Sequence, residues 1–141
     1  MPNYVDFETL NPGDALPPLV KPPLSKVQFV RYAGASGDFN PIHTDDETAR
    51  QSGLPGVIAQ GMLVMGFVGQ AVGSWAPARA LKRINVRFVG MSYPGEVLTV
   101  DAVVAEKMKE KIGLRVVCDM TVKDAQGSAK LSGRFELLLE R

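Results

Sequence analysis

The stretch Gly61-Met62-Leu63-Val64-Met65-Gly66-Phe67-Val68-Gly69-Gln70-Ala71-Val72-Gly73-Ser74-Trp75-Ala76 carries no charge and no proline. It reads as a helix apolar on every side, and such a helix belongs inside a protein. Gly66, Gly69 and Gly73 fall at i, i+3 and i+7 and leave one face nearly bare. A bare face admits another backbone or a slender ligand, and tight packing against a sheet accounts for it equally well.

Downstream the hydrophobic period changes from helical to two. Ile84, Val86 and Phe88 alternate with Asn85 and Arg87; Leu98, Val100, Ala102 and Val104 follow the Tyr93-Pro94-Gly95 turn. Ile112, Leu114, Val116, Cys118, Met120 and Val122 form a third series, and Leu131, Phe135, Leu137 and Leu139 a fourth. Four strands, each with one buried face and joined by short turns, predict an antiparallel meander. With one apolar helix to cover, the sheet is expected to curl around it, an α+β architecture.

Upstream, five prolines between residues 10 and 24 restrict that stretch to loop or edge strand. Ser25 and Gln28 have capping-box spacing and predict a helix with Val27, Phe29, Val30 and Ala33 on its buried side, ended by Gly34 and Gly37. Thr44 and Glu47 repeat the pattern before a short polar helix, Asp45 to Gln51, so Thr44, Asp45, Asp46 and Glu47 are read as capping and dipole compensation. Between the two helices lies Ser36-Gly37-Asp38-Phe39-Asn40-Pro41-Ile42-His43, with the only histidine of the chain.

The 141 residues, 45% hydrophobic and 22% charged, predict one domain over 1–141. A net charge of +1 argues against nucleic acid or a membrane surface as partner. Residues 51–78 lack charge for long enough to span a bilayer. However, Pro55, Gln60, Gln70, Ser74 and six glycines, with flanks that lack the basic bias orienting a membrane helix, favour a buried helix. One cysteine excludes an internal disulfide and suggests a reducing, cytoplasmic setting; Met1 to Leu10 lacks the pattern of a signal peptide. One histidine and one cysteine cannot build a zinc cluster, so no metal is expected. The parity of Cys118 buries it as a small hydrophobe.

Asp38 and His43 read as an acid/base pair on a loop. A neutral imidazole takes or gives a proton near neutral pH, and a carboxylate can orient a water or pass a second proton once burial favours its neutral form. Gly61, first in its helix, offers an unpaired N–H and the positive end of the dipole to a developing oxyanion. Taken singly each has a bland reading, His43 as a structural histidine and Asp38 as a turn residue. Lys82, Arg83 and Arg87, with Arg79, form a basic cluster that could meet phosphates or simply be a solvated strand face.

The string Tyr32-Ala33-Gly34-Ala35-Ser36-Gly37-Asp38-Phe39-Asn40-Pro41-Ile42-His43, with Ile58-Ala59-Gln60-Gly61-Met62, resembles the MaoC-like dehydratases and (R)-specific enoyl-CoA hydratases. The resemblance covers essentially the whole chain. It implies the hot-dog fold, an antiparallel sheet of about five strands around a long central helix. It implies that Asp38 and His43 activate water and that the Gly61 N–H binds the thioester carbonyl. Asn40 would support the loop, with Ala59, Gln60 and Met62 lining the substrate. Gln60 departs from the histidine that many members carry there. The expected reaction is hydration of trans-2-enoyl thioesters to (R)-3-hydroxyacyl thioesters, with no cofactor beyond the acyl-CoA or acyl-phosphopantetheine substrate. Lys82, Arg83 and Arg87 would face the phosphates of coenzyme A. The implied partner is a second copy in a homodimer, or a related subunit in a heterodimer. A hot-dog thioesterase and a non-catalytic acyl-binding subunit are the rival readings.

Overall fold

The computed structural model describes residues 2–141. Five strands form one antiparallel sheet in the order β1-β3-β4-β5-β2. They are β1 (Leu19–Val20), β2 (Leu81–Phe88), β3 (Thr99–Glu110), β4 (Gly113–Lys123) and β5 (Ala129–Glu140). Three helices, α1 (Lys26–Ser36), α2 (Asp46–Gln51) and α3 (Gly61–Trp75), all lie between β1 and β2 in the chain. Among the described residues, no helix is long and apolar enough to cross a membrane.

The two-residue period decides which sheet face meets α3. Leu98, Val100, Ala102, Val104, Leu114, Val116, Cys118, Met120, Val122, Leu131, Phe135 and Leu137 are all buried in one core. Leu63, Val64, Phe67, Val68, Ala71, Val72 and Trp75 of α3 complete that core. The Trp75 and Phe135 rings stack with centroids 5.8 Å apart, a contact worth about 0.5–1.5 kcal/mol beyond its buried area. The indole N–H of Trp75 donates to the Pro17 carbonyl at 2.7 Å, pinning the proline-rich stretch to the end of α3. That stretch supplies the edge strand its prolines allow, with Leu19 opposite Val100 and Val20 opposite Thr99.

The structure corrects the expected meander. Only β3, β4 and β5 follow one another as hairpin neighbours; β2 pairs with β5 at the far edge. The residues between Phe88 and Thr99, including Tyr93-Pro94-Gly95, therefore cross the sheet instead of closing a hairpin. Ile112, assigned to the third strand, is an exposed residue of the β3–β4 turn.

Four expectations about the helices also change. Ser25 caps α1 as expected, its hydroxyl accepting from the Gln28 N–H, but Val27 and Val30 are exposed and only Phe29 and Ala33 are buried. Helix α1 carries two apolar stripes, and the core takes the one with the aromatic ring. Gly34 lies inside α1; Gly37, at φ +77°, makes the left-handed cap, a conformation glycine adopts without strain. The cap of α2 is Asp45, which accepts from the Thr48 N–H, not Thr44 with Glu47. Finally, α3 is not enclosed on all sides, because Gly66, Gly69 and Gly73 face open space.

Two glycines give a paired stability prediction. A Cβ at Gly133 would stand 2.1 Å from the Asn85 carbonyl oxygen of β2, backbone that cannot move aside. Gly133→Ala is expected to lower unfolding free energy in urea by about 1–3 kcal/mol. Gly66→Ala, which meets nothing within 4 Å, is expected to raise it by about 0.5–1 kcal/mol through helix propensity. The opposite ranking would contradict the β2–β5 register. Burial pushes the Cys118 thiol up to about 12. The native protein should therefore give no reaction with a chromogenic disulfide reagent at neutral pH, and one thiol per chain once unfolded; rapid native reaction would refute the inward parity of β4.

Candidate active site

Asp38 and His43 reach their places through a chain of short-range hydrogen bonds. The Ser36 hydroxyl donates to the Tyr32 carbonyl at 2.7 Å and accepts from the Asp38 N–H at 3.1 Å. Asp38 Oδ1 accepts from the Asn40 N–H at 3.3 Å, and Asn40 Oδ1 accepts from the Ile42 N–H at 3.2 Å. Asn40 thereby caps the 3-10 turn Pro41–His43, in which proline occupies the position that needs no donor. This turn replaces part of the expected loop and fixes the direction in which His43 leaves the backbone.

His43 is 7% exposed. Its Nδ1 lies 2.8 Å from the carbonyl oxygen of Ile58, which can only accept, so Nδ1 carries the proton. Nε2 is then the acceptor of the neutral ring, and it stands 3.5 Å from Asp38 Oδ2. The Asp38 side chain is 46% exposed, so the carboxylate sits at the lip of the site, not in the buried setting that the sequence reading asked of a proton donor.

Four consecutive residues leading into α3 are each held by a different element. The Val57 N–H donates to Asp46 Oδ1 at 3.0 Å, and the Ile58 N–H to the Ile42 carbonyl at 3.1 Å. The Ala59 N–H donates to the Ser92 carbonyl at 2.8 Å, and Gln60 Nε2 to the Phe29 carbonyl at 2.8 Å. Hydrogen bonding to Lys26 and to the Val57 N–H holds the Asp46 carboxyl below the usual carboxylate range. Gly61 follows as the first residue of α3, where an N–H has no partner within the helix.

A cavity of about 160 Å³ opens between these parts, lined by His43, Ile58, Ala59, Gly61, Val64 and Phe88 and closed by Gly90, Met91, Ser92 and Lys130. His43, Ala59 and Gly61 are thus brought together, with Asp38 beside them. Gln60 is buried behind the wall and turned toward α1. Met62 is exposed and outside the cavity. Lys82 lies at the other end of β2, its Nζ 3.7 Å from Glu140, and Arg83 lines a separate hollow on the outer sheet face with Arg115 and Arg134. Arg87 occupies that outer face too, beside Arg134 and Ser132. The cation at the His43 cavity is Lys130, whose place next to the buried Leu131 in the two-residue alternation would put it on the solvated face of β5. It is the extra residue of a bulge between the Val122–Leu131 and Lys123–Ala129 pairs, and the bulge turns it inward. There Nζ donates to the Met91 carbonyl at 2.7 Å and lies 3.0 Å from Glu96 and 3.4 Å from Asp124. Among the described residues, no three of His, Cys, Asp and Glu gather as metal ligands would.

The site thus sets a buried imidazole of fixed tautomer beside a carboxylate and a helix-terminal main-chain N–H, a set of groups able to hold a water and an anionic oxygen. The description "MaoC like domain" matches residues 9–126. Over 92 residues the chain is 36% identical to the peroxisomal enoyl-CoA hydratase 2 of Arabidopsis thaliana, covering 63% of this chain and 28% of that protein. Over 100 residues it is 33% identical to enoyl-CoA hydratase ChsH3 of Mycobacterium tuberculosis, covering 69% of this chain and 32% of that protein. The chain therefore spans about a third or less of the length of these two relatives. The unliganded R-hydratase PhaJ1 of Pseudomonas aeruginosa shares the fold, with a TM-score of 0.84 at 23% identity over 98% of this chain and 87% of that one. With the hot-dog fold and a family match over residues 9–126, the chain belongs to the MaoC-like domain family.

Proposed function

We propose that this protein reversibly hydrates trans-2-enoyl thioesters to (R)-3-hydroxyacyl thioesters. The observation that carries the reading is the orientation of His43. With Nδ1–H committed to the Ile58 carbonyl, Nε2 faces the Asp38 carboxylate across 3.5 Å and shares its cavity with Gly61. One water can touch both groups from that gap. As its oxygen adds to carbon three, one of its protons passes to the pair, and a proton is delivered to carbon two. The electron pair of the double bond passes through the thioester, whose oxygen takes negative charge before carbon two is protonated. The Gly61 N–H and the positive end of α3 favour that charge. Hydroxide and proton thus add across the double bond, and the reverse order gives dehydration. Coenzyme A or a phosphopantetheine arm arrives and leaves with the acyl group as part of the substrate.

The same reading places a second copy along β2. One edge of that strand is bonded to β5 and the other has no partner strand among the described residues, while Phe88, Val89 and Met91 are exposed near its end. A free strand edge beside apolar side chains invites pairing. Light scattering should give twice the mass of the chain, and a monomer at micromolar concentration would rule the pairing out.

Asp38→Asn and His43→Ala are each expected to lower kcat/KM for crotonyl-CoA by on the order of 10²–10⁴ while circular dichroism and melting stay close to wild type. Full activity in either variant would remove the acid/base assignment. Chiral analysis of the product should show the (R) alcohol. No free thiol should accumulate, and a thiol reagent reports that cleanly because Cys118 is buried; steady thiol release would favour the thioesterase instead.

A further inference from the structure

The cavity beside His43 is small. Its volume of about 160 Å³ falls well below the roughly 300–1,000 Å³ of a site that encloses a drug-sized ligand, which suits a short acyl group such as crotonyl. Most of its walls cannot give way. Ile58 and Val64 belong to the interior, and a Cβ at Gly90 would already stand 2.6 Å from the Ala129 carbonyl oxygen, so backbone packs on backbone there. Phe88 is different. It ends the edge strand β2, is 49% exposed, and lays its ring against Gly61, where a Cβ would meet Phe88 Cε1 at 3.3 Å. The ring therefore fills the flank of the main-chain donor, through which a longer acyl group held by that donor would have to run.

We propose that Phe88 sets the acyl-length limit of the site and confines it to short enoyl groups of about four carbons. This rests on the hydratase reading and adds to it the substrate class and the residue that selects it. Because the ring stands at the rim and not in the core, shortening it opens the wall without removing the support of α3. Each methylene that fails to fit costs on the order of tenfold in specificity.

The test is kcat/KM for trans-2-enoyl-CoA substrates of four, six, eight and ten carbons, with wild type, Phe88→Leu and Phe88→Ala. Wild type is expected to favour crotonyl-CoA over octenoyl-CoA by at least about tenfold. Phe88→Ala should raise the octenoyl-to-crotonyl ratio by at least about tenfold, with Phe88→Leu between the two. The ratio does not depend on how much of a variant is folded. A wild type that hydrates octenoyl-CoA as well as crotonyl-CoA overturns the proposal, whether or not the variants fold. So does an unchanged ratio in both variants. A wild type inert toward every length overturns the hydratase reading itself, and the length limit falls with it, whereas an active enzyme with a flat profile removes the length limit and leaves the hydratase reading standing.

Discussion

The hydrogen bond from His43 Nδ1–H to the Ile58 carbonyl is the constraint on which the site depends. A free imidazole exchanges tautomers and turns about two bonds. One carbonyl acceptor at 2.8 Å removes both freedoms and leaves Nε2 with its lone pair toward Asp38. The carbonyl can do this because Ile58 is itself immobile, its N–H held by Ile42, the residue before His43. His43 and Ile58 thus clasp each other through two strands of the chain. The neighbouring bonds of Val57, Ala59 and Gln60 extend the clasp to α2, to the β2–β3 crossover and to α1. Gly61 leaves this braced segment directly, so the position of its N–H is fixed by the same bonds that orient the ring.

Gln60 shows what that bracing costs. It is fully buried, its amide N–H holds the Phe29 carbonyl, and its Oε1 has no partner among the described residues. An unsatisfied buried acceptor costs about 1–3 kcal/mol. What the position requires is a donor that reaches α1, and glutamine meets this while bringing a surplus acceptor. The side chain turns away from the cavity toward α1 and leaves the main-chain N–H of Gly61 beside it unobstructed. Attachment to Phe29 matters because α1 continues into Gly37 and Asp38, so one side chain ties the two halves of the site together.

Much of this was legible in the sequence. The alternating strands were, because a sheet with one buried face must repeat every two residues, and the buried parity of β3, β4 and β5 follows the sequence reading at Val100, Ala102, Val104, Leu114, Val116, Cys118, Met120, Val122, Leu131, Phe135 and Leu137, though not at Ile112 or Leu139. The motif from Ser36 to His43 was legible because its side chains bond their own backbone within four residues. What failed depends on contacts far apart in the chain. Tyr93-Pro94-Gly95 has the same turn chemistry whether it closes a hairpin or lies within a crossover, so the place of β2 beside β5 could not be read. Val27 and Val30 are as apolar as Phe29, and only packing decides which stripe is covered. Lys130 has the alternation of a solvated residue until one bulge reverses it.

The resulting site is buried at its base and open at its rim, and the proposed chemistry needs both. His43 at the buried end keeps its proton-accepting nitrogen away from bulk water, where competing hydrogen bonds would blunt it. Asp38 at the lip must stay accessible, because water is a reactant there and has to be replaced after each turnover. Lys130 brings a full positive charge to the same cavity, yet Glu96, Asp124 and the Met91 carbonyl engage its ammonium group, and the Tyr93 ring lies 5.6 Å from it. That charge is therefore spent on holding the crossover that walls the cavity, not on the thioester oxygen. The donor left for that oxygen is the main chain at Gly61, whose direction is set by the helix it begins and not by any side chain.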